Sequence, residues 1–412
     1  MKEEIKKFFK GDVDDSETAL EKYSHDASIF EVRPKIILFP KDSEDVKNLV
    51  QWVAEAKKDN SQLSITCRCA GTDMSGGAIG ESIISDFSKY MNQLIGGPLP
   101  LKTKSIWEIA VQPGMFYRDF EKITLAKGLI LPCYTASKSI NAIGGMFGNN
   151  SAGERTLKYG KTEDYILKSR VVFTDGNEYE VKPLNRDELD KKMAQGDFEG
   201  NIYKNIYELI KTNEDELKAA KPNVRKNSAG YFIWNVLTQH SPSAPFCFDL
   251  NKLLVGSQGT LGIMTEVTLR LIPERKNSKL VVIFMDDLAP LGRLVGEIVS
   301  LNPETLETYD DKTIKLAVRF FPDFLRNKGV FGMLKLMWSF LPEFLMMVNG
   351  FFRGGRSFPR LIILAEFAGD NEKEVQNKCV VLVEKIKDFK LKTHITKDQA
   401  EANKYWDIRR ES

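Results

Sequence analysis

Apolar positions along this chain recur with two different periods, and the change from one to the other marks its elements. Val46, Leu49, Val50 and Val53 follow the spacing of one helix face, and Ser43 offers a cap just before them. Residues 14–23 read as a helix with start signals at Ser16 and Thr18, inside a helical lead-in over residues 1–32. Residues 117–126 read as a third helix, stopped by Gly128. Short β-branched runs predict strands at Ile36, at Leu63 with Ile65, at Ile83 with Ile84, and over residues 106–111. Residues 166–173 with the Asp175-Gly176 pair predict a hairpin, and the run T-E-V-T-L-R-L-I-P closes this part of the chain near Pro273. Beyond it the order becomes strand, helix, strand, strand, then a helix over residues 372–389. An α+β chain with boundaries at residues 1–32, 33–273 and 274–412 is expected.

Between these elements lie three loops built from small residues. Residues 67–78 hold Ala70, Gly71, Thr72, Asp73, Met74, Ser75, Gly76, Gly77 and Ala78; residues 144–153 read G-G-M-F-G-N-N-S-A-G; residues 256–263 read G-S-Q-G-T-L-G-I. Small side chains let backbone approach a ligand, and glycine tolerates the positive φ that gathers several N–H groups around one anion. Taken singly, each loop is also a plain turn or a site of close strand packing. Together they predict one extended ligand touched from several elements, for which a dinucleotide fits better than a single phosphate. The P-loop is excluded because Glu154 follows Gly153 where Lys would be needed, and no G-x-G-x-x-G opens a helix as the Rossmann fingerprint requires.

Composition narrows the partners. With 412 residues and 42% hydrophobic content the chain can bury a large core, and 59 basic against 57 acidic side chains leave a net charge of +2, which gives nucleic acid no electrostatic footprint. Five cysteines in irregular spacing point to a reducing compartment, and Cys67 with Cys69 lack zinc-ligand spacing. The N-terminus lacks the apolar segment of a secretory signal, so a cytoplasmic setting is expected. Residues 330–352 are apolar but interrupted by Lys335, Pro342, Glu343 and Asn349, with Lys328, Arg353 and Arg356 at the flanks. They read either as a segment resting on the inner membrane face or as a packed helix pair.

Taken in order, R-P-K-I-I-L-F-P-K-D-S-E-D-V, A-G-T-D-M-S-G-G, I-A-V-Q-P-G, L-P-C-Y-T-A-S with I-G-G-M-F-G-N-N-S-A-G, and L-V-G-S-Q-G-T-L-G-I-M-T-E resemble the FAD-linked oxidases of the vanillyl-alcohol-oxidase fold. Within them the chain is most similar to the D-lactate dehydrogenase, glycolate oxidase and D-2-hydroxyglutarate dehydrogenase branch. The resemblance implies a two-subdomain PCMH-type FAD-binding domain followed by a ferredoxin-like cap. It also implies flavin contacts from Ala70, Gly71, Thr72, Asp73, Met74, Ser75 and Gly76, from Pro132, Ser137, Gly144, Gly145, Asn149, Ser151 and Gly153, and from Gly259, Thr260 and Ile263. Gln258 stands where the branch most often has Glu, and the first loop has Thr72-Asp73 in place of the His used for covalent attachment, so a dissociable flavin is expected. The K-N-S-A-G-Y run at residues 226–231 resembles a segment on the substrate side, and reads equally as a turn.

A flavin dehydrogenase of a 2-hydroxy acid needs a cation for the carboxylate, a base for the hydroxyl proton, and the α-carbon held for hydride transfer to flavin N5. The terminal Y-W-D-I-R-R resembles the branch's W-x-x-R segment and implies Arg409 as the carboxylate grip, with a solvated basic helix end as the plainer reading. In the branch, the base and metal ligands come from a later segment rich in His, Gly, Asp and Asn. Here the histidines are His25, His240 and His394, none in such a setting, so a chain truncated before that segment is expected. His394 is a conceivable substitute base, although its place on a strand reads as structural. Two functions therefore stand: oxidation of a small 2-hydroxy acid with electrons passed to a quinone or carrier protein, or a flavin-binding module without its own catalysis.

Overall fold

The computed structural model describes residues 1–100, 106–224, 227, 230–238, 245–313 and 359–410. The chain divides into two compact units, Met1–Glu274 and Arg275–Ser412.

Among the described residues the first unit holds one two-stranded ladder and two large sheets. In the smaller, β1 (Asp12–Asp14), β2 (Ile36–Phe39), β3 (Ile65–Arg68) and β4 (Ile83–Asp86) lie in the order β1-β2-β4-β3, with β2 and β3 parallel to β4 and β1 antiparallel to β2. Successive strand residues point to opposite faces, and two cores follow. Ile36, Leu38 and Ile83 pack with Leu49 and Val53 of the helix Ser43–Ala56, and with Ile5 and Phe9. Ile37 and Ile84 pack on the other face with Ala19, Leu20 and Tyr23. The predicted lead-in is thus partly strand. Its helix, Glu17–Tyr23, is capped by Ser16 as expected, but Asp12–Asp14 pairs along β2. The next helix is capped by Asp42 rather than Ser43, because the Asp42 carboxylate reaches the Asp45 N–H at 3.0 Å.

The larger sheet runs β5-β6-β12-β8-β9, formed by β5 (Leu94–Pro100), β6 (Trp107–Val111), β8 (Ile166–Val172), β9 (Glu178–Val181) and β12 (Ile263–Pro273), with the short β7 (Leu129–Ile130) pairing the end of β12. A separate ladder joins β10 (Leu237–Thr238) to β11 (Cys247–Phe248). The β8–β9 hairpin turns at Gly176, whose φ of 75° only glycine adopts readily. The central β12 buries Val267, Leu269 and Leu271 against Ile109, Val111, Phe120, Met146 and Phe147. Each such side chain contributes about 1.5–3 kcal/mol of hydrophobic stabilisation.

The second unit is one antiparallel sheet, β13 (Asn277–Met285), β14 (Thr305–Asp310), β15 (Leu361–Gly369) and β16 (Lys392–Ile395), in the order β14-β15-β13-β16. Helices Leu291–Val299 and Glu372–Lys385 cover one face through Leu294, Ile298, Val375, Cys379 and Leu382. This is the ferredoxin-like arrangement, and the helix Gln399–Arg410 adds Ala402, Tyr405 and Trp406 to the other face. Among the described residues no helix is long and apolar enough to cross a membrane. Residues 330–352, read above as a membrane-surface segment or helix pair, lie outside the described residues.

Candidate flavin site

All three small-residue loops belong to the first unit, and the fold brings them into contact. Gln258 carries its N–H to the carbonyl of Gly148 at 3.0 Å, which joins the third loop to the second. Its side chain lies over Gly77 of the first loop, where a Cβ would stand 2.7 Å from Oε1. Gly259 faces Cys67, leaving a Cβ only 2.9 Å from Sγ, and Gly144 is pressed between Cys69 Sγ and Pro113. Gly256 donates to the carbonyl of Phe147 at 2.9 Å. The sequence carried the loops, and long-range contacts assembled them.

The first loop leaves the sheet edge at Arg68 and turns through positive φ at Gly71 (65°) and Gly76 (87°). At its tip the Asp73 carboxylate accepts from Ser75 N (3.2 Å), Ser75 Oγ (2.8 Å) and Gly77 N (2.6 Å), so Asp73 and Ser75 are occupied with one another. The N–H groups of Gly71, Thr72, Met74 and Gly76 have no partner among the described residues. Burial pushes the Cys67 thiol up to about 12 and raises Cys69 well above its ordinary value. Both cysteines are therefore neutral wall residues.

The second loop starts the helix Ile143–Gly148. Gly144 and Gly145 have opposite surroundings: Gly144 is packed, whereas a Cβ at Gly145 would meet nothing within 4 Å. Gly153 packs against the carbonyl of Tyr134, with a Cβ only 1.8 Å from that oxygen. Ser151 is buried and its carbonyl accepts from Thr162 N and Oγ1. Pro132 is buried, Ser137 Oγ lies 2.9 Å from Thr135 Oγ1, and Thr260 Oγ1 lies 2.8 Å from the hydroxyl of Tyr231. Ile263 points into a core with Val46, Phe87, Met91 and Val172, so only its backbone is available to a ligand.

Asn149 is exposed, and its neighbour Asn150 is the residue sequence reasoning missed. Asn150 is fully buried with φ 46°, accepts the Glu163 N–H on Oδ1 at 3.1 Å, and leaves Nδ2 without a partner. The only signal for it was the tolerance of Asn for left-handed backbone. An open cradle at Gly145, unpartnered loop amides and a buried, unsatisfied donor are what a flavin dinucleotide would use; the residues present fit FAD. Beside the site, Lys161 and Glu163 form a buried ion pair at 3.0 Å. Lys161 Nζ also donates to the Asn227 carbonyl at 3.0 Å, which ties the described part of the 226–231 run to this pair.

In the second unit, Arg409 donates from Nε and Nη2 to Glu307 Oε2 at 3.1 and 2.9 Å. His394 Nε2 lies 2.9 Å from Glu401 Oε1. Against the cost of burial, the Lys397 N–H and His394 hold Glu401 below the usual carboxylate range.

The fold and the meeting of the three loops are those of a flavin-binding α+β protein, and comparison with known proteins agrees. Residues 34–182 match the FAD binding domain family and residues 274–412 match the C-terminal domain of FAD linked oxidases. The chain thus carries an FAD binding domain and the C-terminal domain of FAD linked oxidases, and its cofactor is FAD. It is 25% identical to a D-2-hydroxyglutarate dehydrogenase of Pseudomonas putida over 87% of this chain and 32% of that protein. It is 27% identical to the glycolate oxidase subunit GlcD of Bacillus subtilis over 73% of this chain and 51% of that protein. A solved alkyldihydroxyacetonephosphate synthase shares the fold, with a TM-score of 0.66, 17% identity, and coverage of 99% of this chain and 63% of that one. The chain spans about a third of the length of several D-2-hydroxyglutarate dehydrogenases it matches, and about half of another.

Proposed function

We propose that this chain takes part in the FAD-dependent oxidation of a small 2-hydroxy acid to the 2-oxo acid, with electrons passed on to a quinone or carrier protein. The observation that carries the reading is the meeting of the three loops around Gln258, in a chain similar to enzymes named for 2-hydroxy acids. FAD, when bound, supplies the two-electron acceptor for the hydride of the substrate α-carbon. The loop amides, Gly145 and Asn150 would hold it, and Cys67 and Cys69 would wall it without ionising. Arg409 would hold the substrate carboxylate through paired N–H groups. Its present pairing with Glu307 favours a second reading, a flavin-binding module whose catalysis depends on further polypeptide.

Absorbance spectra before and after anaerobic addition of D-lactate, glycolate or D-2-hydroxyglutarate separate the two. Bleaching of the flavin band by one acid supports the first, and a band that persists with all three supports the second. In an active preparation, Arg409→Ala should lower kcat/KM about 100-fold without changing flavin content, as expected for a lost bidentate carboxylate contact. Loss of the flavin itself would remove Arg409 from the substrate side.

A further inference from the structure

Arg68 is the last residue of β3 and the entry to the first flavin loop. Its Nη1 donates to the carbonyl of Ala78, at the loop's exit, at 3.2 Å. The same nitrogen donates to the carbonyl of His25 at 2.8 Å, outside the loop altogether. The guanidinium lies 4.9 Å over the Tyr23 ring, whose hydroxyl donates to Asp86 Oδ2 at 2.6 Å. Gly71 rides directly on this group, since a Cβ there would fall 2.5 Å from Nη2. The N-terminal segment closes the arrangement: Ala27 donates to the Gly71 carbonyl at 3.1 Å, and Phe30 sits 3.2 Å from a Cβ at Gly76.

We propose that Arg68 is the positioning residue of the first flavin loop, fastening the loop's exit and the N-terminal segment to its entry so that its amides are set for the dinucleotide phosphates. A small-residue loop of this length loses considerable chain entropy on ordering, and holding it beforehand removes that cost from ligand binding. Arginine suits the task because its planar guanidinium lies over the Tyr23 ring while two N–H groups of one nitrogen reach separate carbonyls in fixed directions; a lysine ammonium offers no plane to stack. Residues before Arg33 thereby become part of the flavin site's scaffold. The proposal rests on the FAD assignment and is independent of which acid is oxidised.

The test is titration of the apoprotein with FAD, ADP and riboflavin, with amide exchange followed over residues 70–78. Arg68→Ala should weaken FAD and ADP about 30-fold, and Arg68→Lys about tenfold, the scale of losing one or two charge-assisted hydrogen bonds. Riboflavin, which has no diphosphate, should change less than about threefold, within the scatter of a site left intact. Exchange at residues 70–78 should speed up in both variants. If Arg68→Ala does not fold, Arg68→Lys decides. FAD and ADP affinities within about threefold of wild type, or a loss shared equally by riboflavin, would overturn the proposal. Wild-type protein that binds neither FAD nor ADP would overturn the flavin reading itself.

Discussion

The side chain of Gln258 lies against Gly77, so that the third loop closes over the first with no room for a Cβ between them. The backbone of Gln258 is itself left-handed, with φ 52°. Gly77→Ala pushes on the far end of a flexible side chain, so its cost to stability should stay near about 1 kcal/mol. Displacing Gln258 should loosen the loop junction and weaken FAD about three- to tenfold, the scale of one misplaced contact. Fluorescence titration beside a thermal melt checks both, and an unchanged FAD affinity would show that this contact is packing only.

Gly145 and Gly153 make a contrasting pair. Gly145→Ala enters open space and gains helix propensity, so stability should hold or rise by up to about 1 kcal/mol while FAD affinity falls. Gly153→Ala drives a methyl group into the Tyr134 carbonyl and should cost about 3 kcal/mol or more. Urea unfolding with FAD titration measures the pair. Equal stability losses in the two variants would contradict the assignment of Gly145 to the ligand and Gly153 to packing.

The Lys161–Glu163 pair has side-chain exposures of 9% and 5%, and Asn235 adds a bond to Glu163 at 3.2 Å. Lys161→Met should cost about 3–5 kcal/mol, because it leaves a buried carboxylate uncompensated. The double variant Lys161→Met/Glu163→Leu should be more stable than Lys161→Met alone. A double-mutant cycle from urea midpoints reads this directly, and simple additivity would mean that the two groups are not coupled.

The Cys67 thiol has an ordinary pKa of 9.0 and is pushed up to about 12 by burial. A pKa raised in the folded state means the folded chain holds this proton more tightly than the unfolded one. The resulting stability is complete below pH 9 and is lost as pH rises toward 12. Between pH 8 and about 10.5, wild type should therefore lose more stability than Cys67→Ala. Parallel urea-midpoint curves for the two proteins would show that Cys67 is not the titrating group. Alkylation of folded Cys67 at pH 8 should be at least about tenfold slower than that of a free thiol.

The order of the second unit up to the helix Glu372–Lys385 was readable because those strands and helices carry their own period, beginning with the apolar run of β13. The strand β1 was not, because Asp12–Asp14 has no apolar pattern and is a strand only by pairing with β2. Ser43 lost the cap to Asp42 for a similar reason: which polar side chain reaches the Asp45 N–H is a matter of backbone angle, not of residue type.

By itself the sequence determined the three loops, since small residues and turn formers act through local backbone freedom. It also determined the α+β class, since hydrophobic period is local. Which glycine packs and which stays open was decided by tertiary structure alone: Gly144 and Gly145 are identical neighbours, but Cys69 and Pro113 stand beside one and open space beside the other. The same holds for Asn149 and Asn150, and for Arg68, whose partners His25 and Ala78 lie 43 and 10 positions away in the chain. Such contacts depend on where remote segments arrive, and no local pattern encodes that.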